Sequence, residues 1–397
     1  LATSAPGNFG SSTVDSVIMT GLNVDRATYD ELLSAMALTG TVVNQADIGV
    51  LYRWRVLAEL SGLDIDTVLA LAQLKTSGGS VTDLFNAASK WRIMEFLEQL
   101  QQLSDSPLST DQARWVLDGT DSEAAVSLQM TDEQVDLQLQ ALWTALWAAE
   151  SDTTDSPRAA LFSAHVAEIW GVDVSLVPVV SQAVVGLDAS APSTSAEAWF
   201  CDPAGTGTFL GTDATVEPLS NLSNPSTELD VSRAFWRRMS RILAVLSPWK
   251  LVEDDYTELF DSGSAIVTNV LDLLTLPADA SGPSAAFDGL CDLLQILARR
   301  NQFVDPTATL KSVQAASPLA EAVATAMEWP TGTVSTPTTG PIIAQWRWAE
   351  DTFGVANKLG LKPALIEGWA SPISTGGLGT LEADIRNAAQ SRHTPQN

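Results

Sequence analysis

Along most of the chain, apolar residues recur every three or four positions, the period of an α-helix lying against a core, while alternating runs of β-branched residues are short and few. The pattern predicts a mainly α fold. In the first clear segment Leu51, Trp54, Val56, Leu57 and Leu60 are expected on one helical face; Ser61-Gly62 stops that helix, and Leu63-Asp64-Ile65-Asp66 starts another. Asp64 or Asp66 is the expected N-cap, because a carboxylate there accepts the free backbone N–H groups of the following turn. The same handover returns four times. Residues 91–103 break at Ser-Asp-Ser-Pro and restart at 109–111 towards Trp115 and Leu117, and 161–170 reach Gly171 and restart after Asp173. Residues 235–246 reach Ser247-Pro248 and restart through 251–259, and 346–359 reach Gly360 and restart at Lys362-Pro363.

Five amphipathic helices, each handing over to a capped partner, describe an irregular stack of helical hairpins. One stretch departs from the period. Residues 186–230 are rich in Gly, Pro, Ser and Thr, with Phe209-Leu210 and Thr215-Val216 between turn signals, so an irregular segment or a short β-hairpin is expected there. This divides the chain into an N-terminal helical lobe at 1–185, an insert at 186–230 and a C-terminal helical lobe at 231–397. A second Pro, Gly and Thr cluster at 329–341 separates helices of the later lobe.

Composition narrows the function classes. Among 397 residues, 48 acids face 21 Lys and Arg, a formal charge of −27, so no nucleic acid or anionic membrane partner is expected. A chain of this length buries about three quarters of its unfolded surface and needs neither disulfide nor metal to build a core. Its two cysteines, Cys201 and Cys291, are too far apart in sequence for a metal knuckle and read as lone thiols. The only histidines are His165 and His393, too few parts for the usual acid–base and zinc chemistry. The longest tempting apolar run, 141–149 (ALWTALWAA), is about half a membrane span, so no membrane insertion by this segment is expected. The opening residues LATSAPGNFGSS lack the basic and apolar regions of a secretory signal, and a start at Leu1 reads as a fragment, a processed product or a missing start.

At its helix–stop–helix segments the chain resembles the large A component of the bacterial Tc insecticidal toxins. The residues carrying the resemblance are LYRWRVLAELSGLDIDTVLALAQL at 51–74, PLSTDQARWVL at 107–117, MTDEQVDLQLQALWTAL at 130–146 and FCDPAGTGTF at 200–209. FWRRMSRILAVLSPWKLVEDDYTELF at 235–260, AMEWP at 326–330 and KLGLKPALIEGWA at 358–370 follow in the same order. The resemblance spans roughly residues 30 to 370. It implies a segment of the α-helical shell that surrounds a translocation channel in an oligomer and opens on a pH change. It also implies other parts of a larger toxin-like assembly, or like protomers, as partners, and a bacterial protein secreted or released with its complex. The insert is much shorter than that family's β segment, Arg237 and Arg238 stand where its Lys is usual, and nothing resembles the pore-forming, linker or partner-binding regions. A stand-alone helical-repeat adaptor and, more distantly, a glycan-active enzyme are the alternatives. In the main reading the chain is not an enzyme and holds neither cofactor nor metal.

Several clusters carry candidate chemistry. Glu253, Asp254 and Asp255, with Glu258 a turn later and Trp249 and Tyr256 nearby, have the ingredients of a sugar-cleaving site, against which stands a helix N-terminus where acids complement the dipole. The tryptophans, 13 in all, suggest carbohydrate stacking, but Trp54, Trp91, Trp115, Trp236 and Trp346 fall at comparable places in the helical units and read as core. Asp152 with Asp155, or Asp105 with Asp111, are calcium candidates that read better as capped turns. The Gly-rich runs at 205–211 and 376–379 lack the context of a nucleotide loop. His165 reads as structural or as a pH sensor. Arg237, Arg238 and Arg241 form the densest basic patch and are expected to pair with acids of a neighbouring lobe or protomer. The acidic excess itself admits two readings, carboxylates whose packing responds to pH and solvation suited to high salt.

Overall fold

The structure is a computed structural model, and it describes residues 7–76, 81–85, 90–118, 128, 130–149, 157–185, 195–201, 209, 227–261, 270, 283–316, 318–332 and 342–370. The chain is mainly helical, and the described residues hold no strand, only one isolated antiparallel bridge between Asn8 and Val42. By compactness it divides into two units, Leu1–Pro248 with Val270–Gln295, and Trp249–Asn269 with Ile296–Asn397. The insert expected at 186–230 lies mostly outside the described residues, including the hairpin positions Leu210, Thr215 and Val216. What is described there is a short helix, Ala196–Cys201, and the start of a long one at Thr227.

In the first unit the helices are α1 (Ser12–Leu22), α2 (Arg26–Ala35), α3 (Gln45–Ser61), α4 (Ile65–Lys75), α5 (Lys90–Asp105), α6 (Thr110–Asp118), α7 (Asp132–Ala148), α8 (Pro157–Trp170), α9 (Leu176–Val184), α10 (Ala196–Cys201) and α11 (Thr227–Leu246). The predicted handovers are present from α3 to α4, from α5 to α6 and from α8 to α9, and each pair packs together. Their punctuation follows from backbone chemistry. Gly62 adopts φ 73°, a left-handed conformation that costs glycine nothing, and its N–H closes on the carbonyl of Ala58 at 2.9 Å. Two residues later Asp64, not Asp66, caps α4 by accepting from the Thr67 amide at 2.7 Å. Asp25, Asn44 and Thr131 do the same for α2, α3 and α7.

The buried stripe of α3 runs through Leu51, Trp54, Leu57, Ala58 and Ser61. Val56 and Leu60 lie off it, Leu60 being 56% exposed, which corrects the expectation that both share the core face. At the other end of the unit an aromatic knot holds α8, α10 and α11 together. Phe200 sits 5.0–5.1 Å, centroid to centroid, from Phe162, Phe209 and Phe235, and Trp170 meets Trp236 at 5.1 Å. The Trp199 indole donates to the Ser232 hydroxyl at 3.0 Å, so this buried polar pair is satisfied. Trp54, Trp115 and Trp236 are core residues as expected; the side chain of Trp91 lies outside the described set.

The second unit holds α12 (Glu253–Phe260), the end of α13 (Pro283–Arg300), α14 (Leu310–Gln314), α15 (Leu319–Ala326), α16 (Ile342–Ala349), α17 (Val355–Leu359) and α18 (Pro363–Ala370). The fourth handover, at Ser247-Pro248, is where the chain leaves the first unit. The helix expected through 346–359 is interrupted by a π-turn at Glu350–Gly354, where the Trp329 ring lies so close to Gly354 that a Cβ would meet it at 3.2 Å. Trp346 is buried and stacks on Phe303 at 5.9 Å.

The aromatic knot yields the first prediction. Phe200→Ala removes the ring that three others share and should cost about 3–5 kcal/mol in equilibrium urea unfolding. Leu137→Ala, at a side chain 67% exposed, should change stability by less than about 0.5 kcal/mol in the same measurement.

Candidate functional site

The basic patch read from sequence lies on α11, where Arg233, Arg237 and Arg241 recur every four residues and so share one stripe. Arg233 grips Asp136 of α7 with Nε to Oδ1 at 2.7 Å and Nη2 to Oδ2 at 2.6 Å, the bidentate geometry that a planar guanidinium favours. Hydrogen bonding to Asp136 raises its pKa above the ordinary value. One turn on, Arg237 pairs with Asp132, while Trp236 donates from Nε1 to Gln138 Oε1 at 2.6 Å. Burial pulls the pKa of Arg237 down, and Asp132, 65% exposed, does not reverse it.

Among the described residues Arg241 meets no acid. Its Nη2 donates to the carbonyls of Val116 at 2.7 Å and Trp115 at 3.3 Å, closing the last turn of α6, and the guanidinium lies 5.7 Å from the Trp115 ring centroid. Burial lowers its pKa to about 10. The expected pairing with acids therefore describes Arg237 and not Arg241; Arg238 is buried in the same helix.

The acidic cluster belongs to the second unit and separates into three different environments. Asp255 is fully buried. Its carboxylate takes Arg300 Nε at 3.0 Å on both oxygens, the Leu310 amide on Oδ1 at 2.7 Å and the Val252 amide on Oδ2 at 3.1 Å. It thus closes the starts of α12 and α14 and ties both to the end of α13. Asp254 makes a half-exposed pair with Lys311 at 3.2 Å, a contact that water largely screens, and Glu253 is exposed. Glu258 is buried on the same helix, and burial together with the Asp255 charge pushes the Tyr256 hydroxyl up to about 12. Held on both oxygens by an arginine and two amides, this carboxylate complements the starts of two helices at once.

Three further charged sites had no clear signal in the sequence. Asp15, on α1, is buried and accepts from the Gly10 amide at 2.9 Å, the Tyr29 hydroxyl at 3.0 Å and Arg26 at 2.9 Å. Burial alone would raise its pKa, but these bonds outweigh it and the net shift is downward. Lys75 bridges Glu95 and Asp288, which also accepts from Gln99 Nε2 at 2.8 Å. Burial, with Asp288 beside it, pushes the Cys291 thiol up. Both cysteines are buried, and neither is in a disulfide. Arg299 grips Glu350 at the π-turn, with Nη2 to Oε2 at 2.6 Å.

The remaining candidates resolve simply. His165 is half-buried, with Nε2 enclosed and without a hydrogen-bond partner among the described residues. Asp105 and Asp111 flank a capped turn in which Ser109 and Gln112 exchange backbone and side-chain bonds. Asp152, Asp155 and the glycines at 205–211 and 376–379 lie outside the described residues. Among the described residues no group of three or more His, Cys, Asp or Glu is placed to hold a metal ion, and no helix is long and apolar enough to cross a membrane. No family model, curated protein or solved structure matches the chain.

Two predictions follow from the buried carboxylates. Asp255→Ala leaves the half-buried Arg300 and the Val252 and Leu310 amides without their shared anion and should lower stability by about 3–5 kcal/mol in urea titration. Asp15 has a depressed folded pKa, so its contribution is complete above the unfolded carboxylate value near ~3.9 and is lost as pH falls through the lower folded value. Asp15→Asn should flatten the acid limb of a thermal-stability profile below about pH 4; an unchanged slope would assign that limb to other groups.

Proposed function

We propose that this chain is a non-catalytic scaffold resembling the α-helical shell of a Tc toxin A component, released with a larger toxin-like complex. Its work is to dock to like protomers or to other parts of that assembly and to loosen its packing when pH changes. The observation that carries the reading is the employment of the candidate residues. Asp255 and Arg241, the most deeply placed members of the acidic and basic clusters, are engaged in closing helix ends, the work of a scaffold. Supporting it are the order of helix–stop–helix units and a set of internal ties made from carboxylates, of which Asp15 and Asp255 are fully enclosed.

The test is size-exclusion chromatography with light scattering at about pH 3, 7 and 10, in low and high salt, the acid point lying below the ordinary carboxylate range and the alkaline one near the Arg241 value of about 10. A reversible change in mass or radius that persists in high salt is the expected result, because salt screens exposed pairs far more than enclosed ones. A particle of constant size and mass at every pH would remove the switch from this chain.

A further inference from the structure

Cations are scarce here, and most of those described are occupied. Arg55, Arg158 and Arg241 bind backbone carbonyls, Arg300 binds Asp255, and Lys75 and Lys311 sit on acids. The corner between α17 and α18 is different. Gly360, at φ 68°, reverses the chain, and the Leu361 amide closes on the Ala356 carbonyl at 2.9 Å, so the corner is a built feature. On either side of Gly360, Lys358 and Lys362 are exposed and make no ion pair among the described residues. Leu359 and Leu365, 38% and 37% exposed, lie beside them. The corner thus presents, within eight residues, two ammonium groups without an ion pair among the described residues and two exposed leucines, on a chain of net charge −27.

An acidic turn of matching character lies in the first unit. At residues 63–66 the half-buried Leu63 and Ile65 alternate with the exposed Asp64 and Asp66, and Glu31 of α2 is exposed nearby. Among the described residues Asp66 accepts from the Thr28 hydroxyl, at 2.9 Å, and Glu31 feels its charge. Burial and then repulsion from Asp66 raise the pKa of Glu31, and Arg114 offsets this only in part. Among the described residues neither Glu31 nor Asp66 is in an ion pair, so the turn presents exposed carboxylates.

We propose that the corner at 358–365 docks onto the turn at 63–66 and Glu31 of a second copy of this chain. Lys358 and Lys362 face the carboxylates, and Leu359 and Leu365 face Leu63 and Ile65. The occupant is a second copy because the complementary charge is present on the chain itself, and unlike surfaces meeting in this way give a head-to-tail contact that closes into a ring or continues as a filament. The proposal rests on the scaffold reading and names the contact by which protomers would join.

The experiment is sedimentation velocity at pH 7.5 over a concentration series, at 50 and 500 mM salt, with helicity checked by circular dichroism. Three proteins are compared: wild type, Lys358→Glu/Lys362→Glu and Glu31→Lys/Asp66→Lys. Wild type should associate at low salt and dissociate at high salt, and each double variant alone should associate at least about tenfold more weakly. An equimolar mixture of the two variants should associate again, because the reversed charges then meet in opposite sign. Association unchanged by the lysine reversal, or not restored in the mixture of folded variants, overturns this contact while leaving the scaffold reading to its own pH test. A wild type that stays monomeric at every concentration also overturns it.

Discussion

Closing the ends of many short helices with very few cations is the constraint on which this structure depends. Each helix leaves four amides and four carbonyls without partners inside itself, and a chain divided into so many short helices exposes many such ends. The amide ends are easily satisfied in an acid-rich sequence, and Asp25, Asn44, Asp64, Thr131 and Thr309 each supply an oxygen. The carbonyl ends are the difficult ones. Glycine or asparagine in the left-handed region closes α1, α3 and α17, and arginine supplies donors as well: Arg55 to the Gly21 carbonyl of α1, Arg158 to Leu146 of α7 and Arg241 to Val116 of α6. Lysine would serve poorly in the enclosed positions. Arg158 and Arg241 each place a flat cation near an indole, Trp147 at 5.5 Å and Trp115 at 5.7 Å, while still reaching a carbonyl, a combination suited to a planar guanidinium.

The same economy explains why buried charge is concentrated in a few nodes. An isolated buried carboxylate is costly, and a buried ion pair gives little net stability over an apolar replacement, yet breaking one is expensive. Asp255 meets this condition by serving several ends at once, its own helix start, the start of α14 and Arg300. Lys75 does the like between Glu95 and Asp288, two acids far apart in sequence. Nodes of this kind specify which helices meet more than they add to the free energy of folding.

Much of the architecture was legible because it is local. The Ser61-Gly62 stop, the Asp64 cap and the tryptophans of the helical units depend on residues within one or two turns, and the structure places them as the period predicts. Val56 and Leu60 were misplaced because an apolar residue near a helical stripe looks the same in sequence whether it lies on the stripe or beside it. The sites were less legible for a related reason. Glu253, Asp254 and Asp255 are equivalent as a run, and only the phase that buries Tyr256 and Leu259 decides that Asp255 turns inward. Arg241 was matched to acids because sequence displays side chains and hides the free carbonyls at the end of α6. Asp15, Lys75 and Asp288 needed partners that only tertiary packing supplies.

Salt and acid therefore act on different parts of this molecule. Exposed acids such as Glu31 and Asp66 interact through water, and their mutual repulsion weakens within a Debye length as ionic strength rises. Asp15 is enclosed and held by direct bonds from Gly10, Tyr29 and Arg26, so added salt reaches it weakly while protonation removes what those bonds recognise. The two explanations of the acidic excess, adaptation to salt and sensitivity to pH, thus concern separate populations of carboxylates. The surface population answers to ionic strength, and the enclosed population bears on how firmly each unit keeps its helices packed.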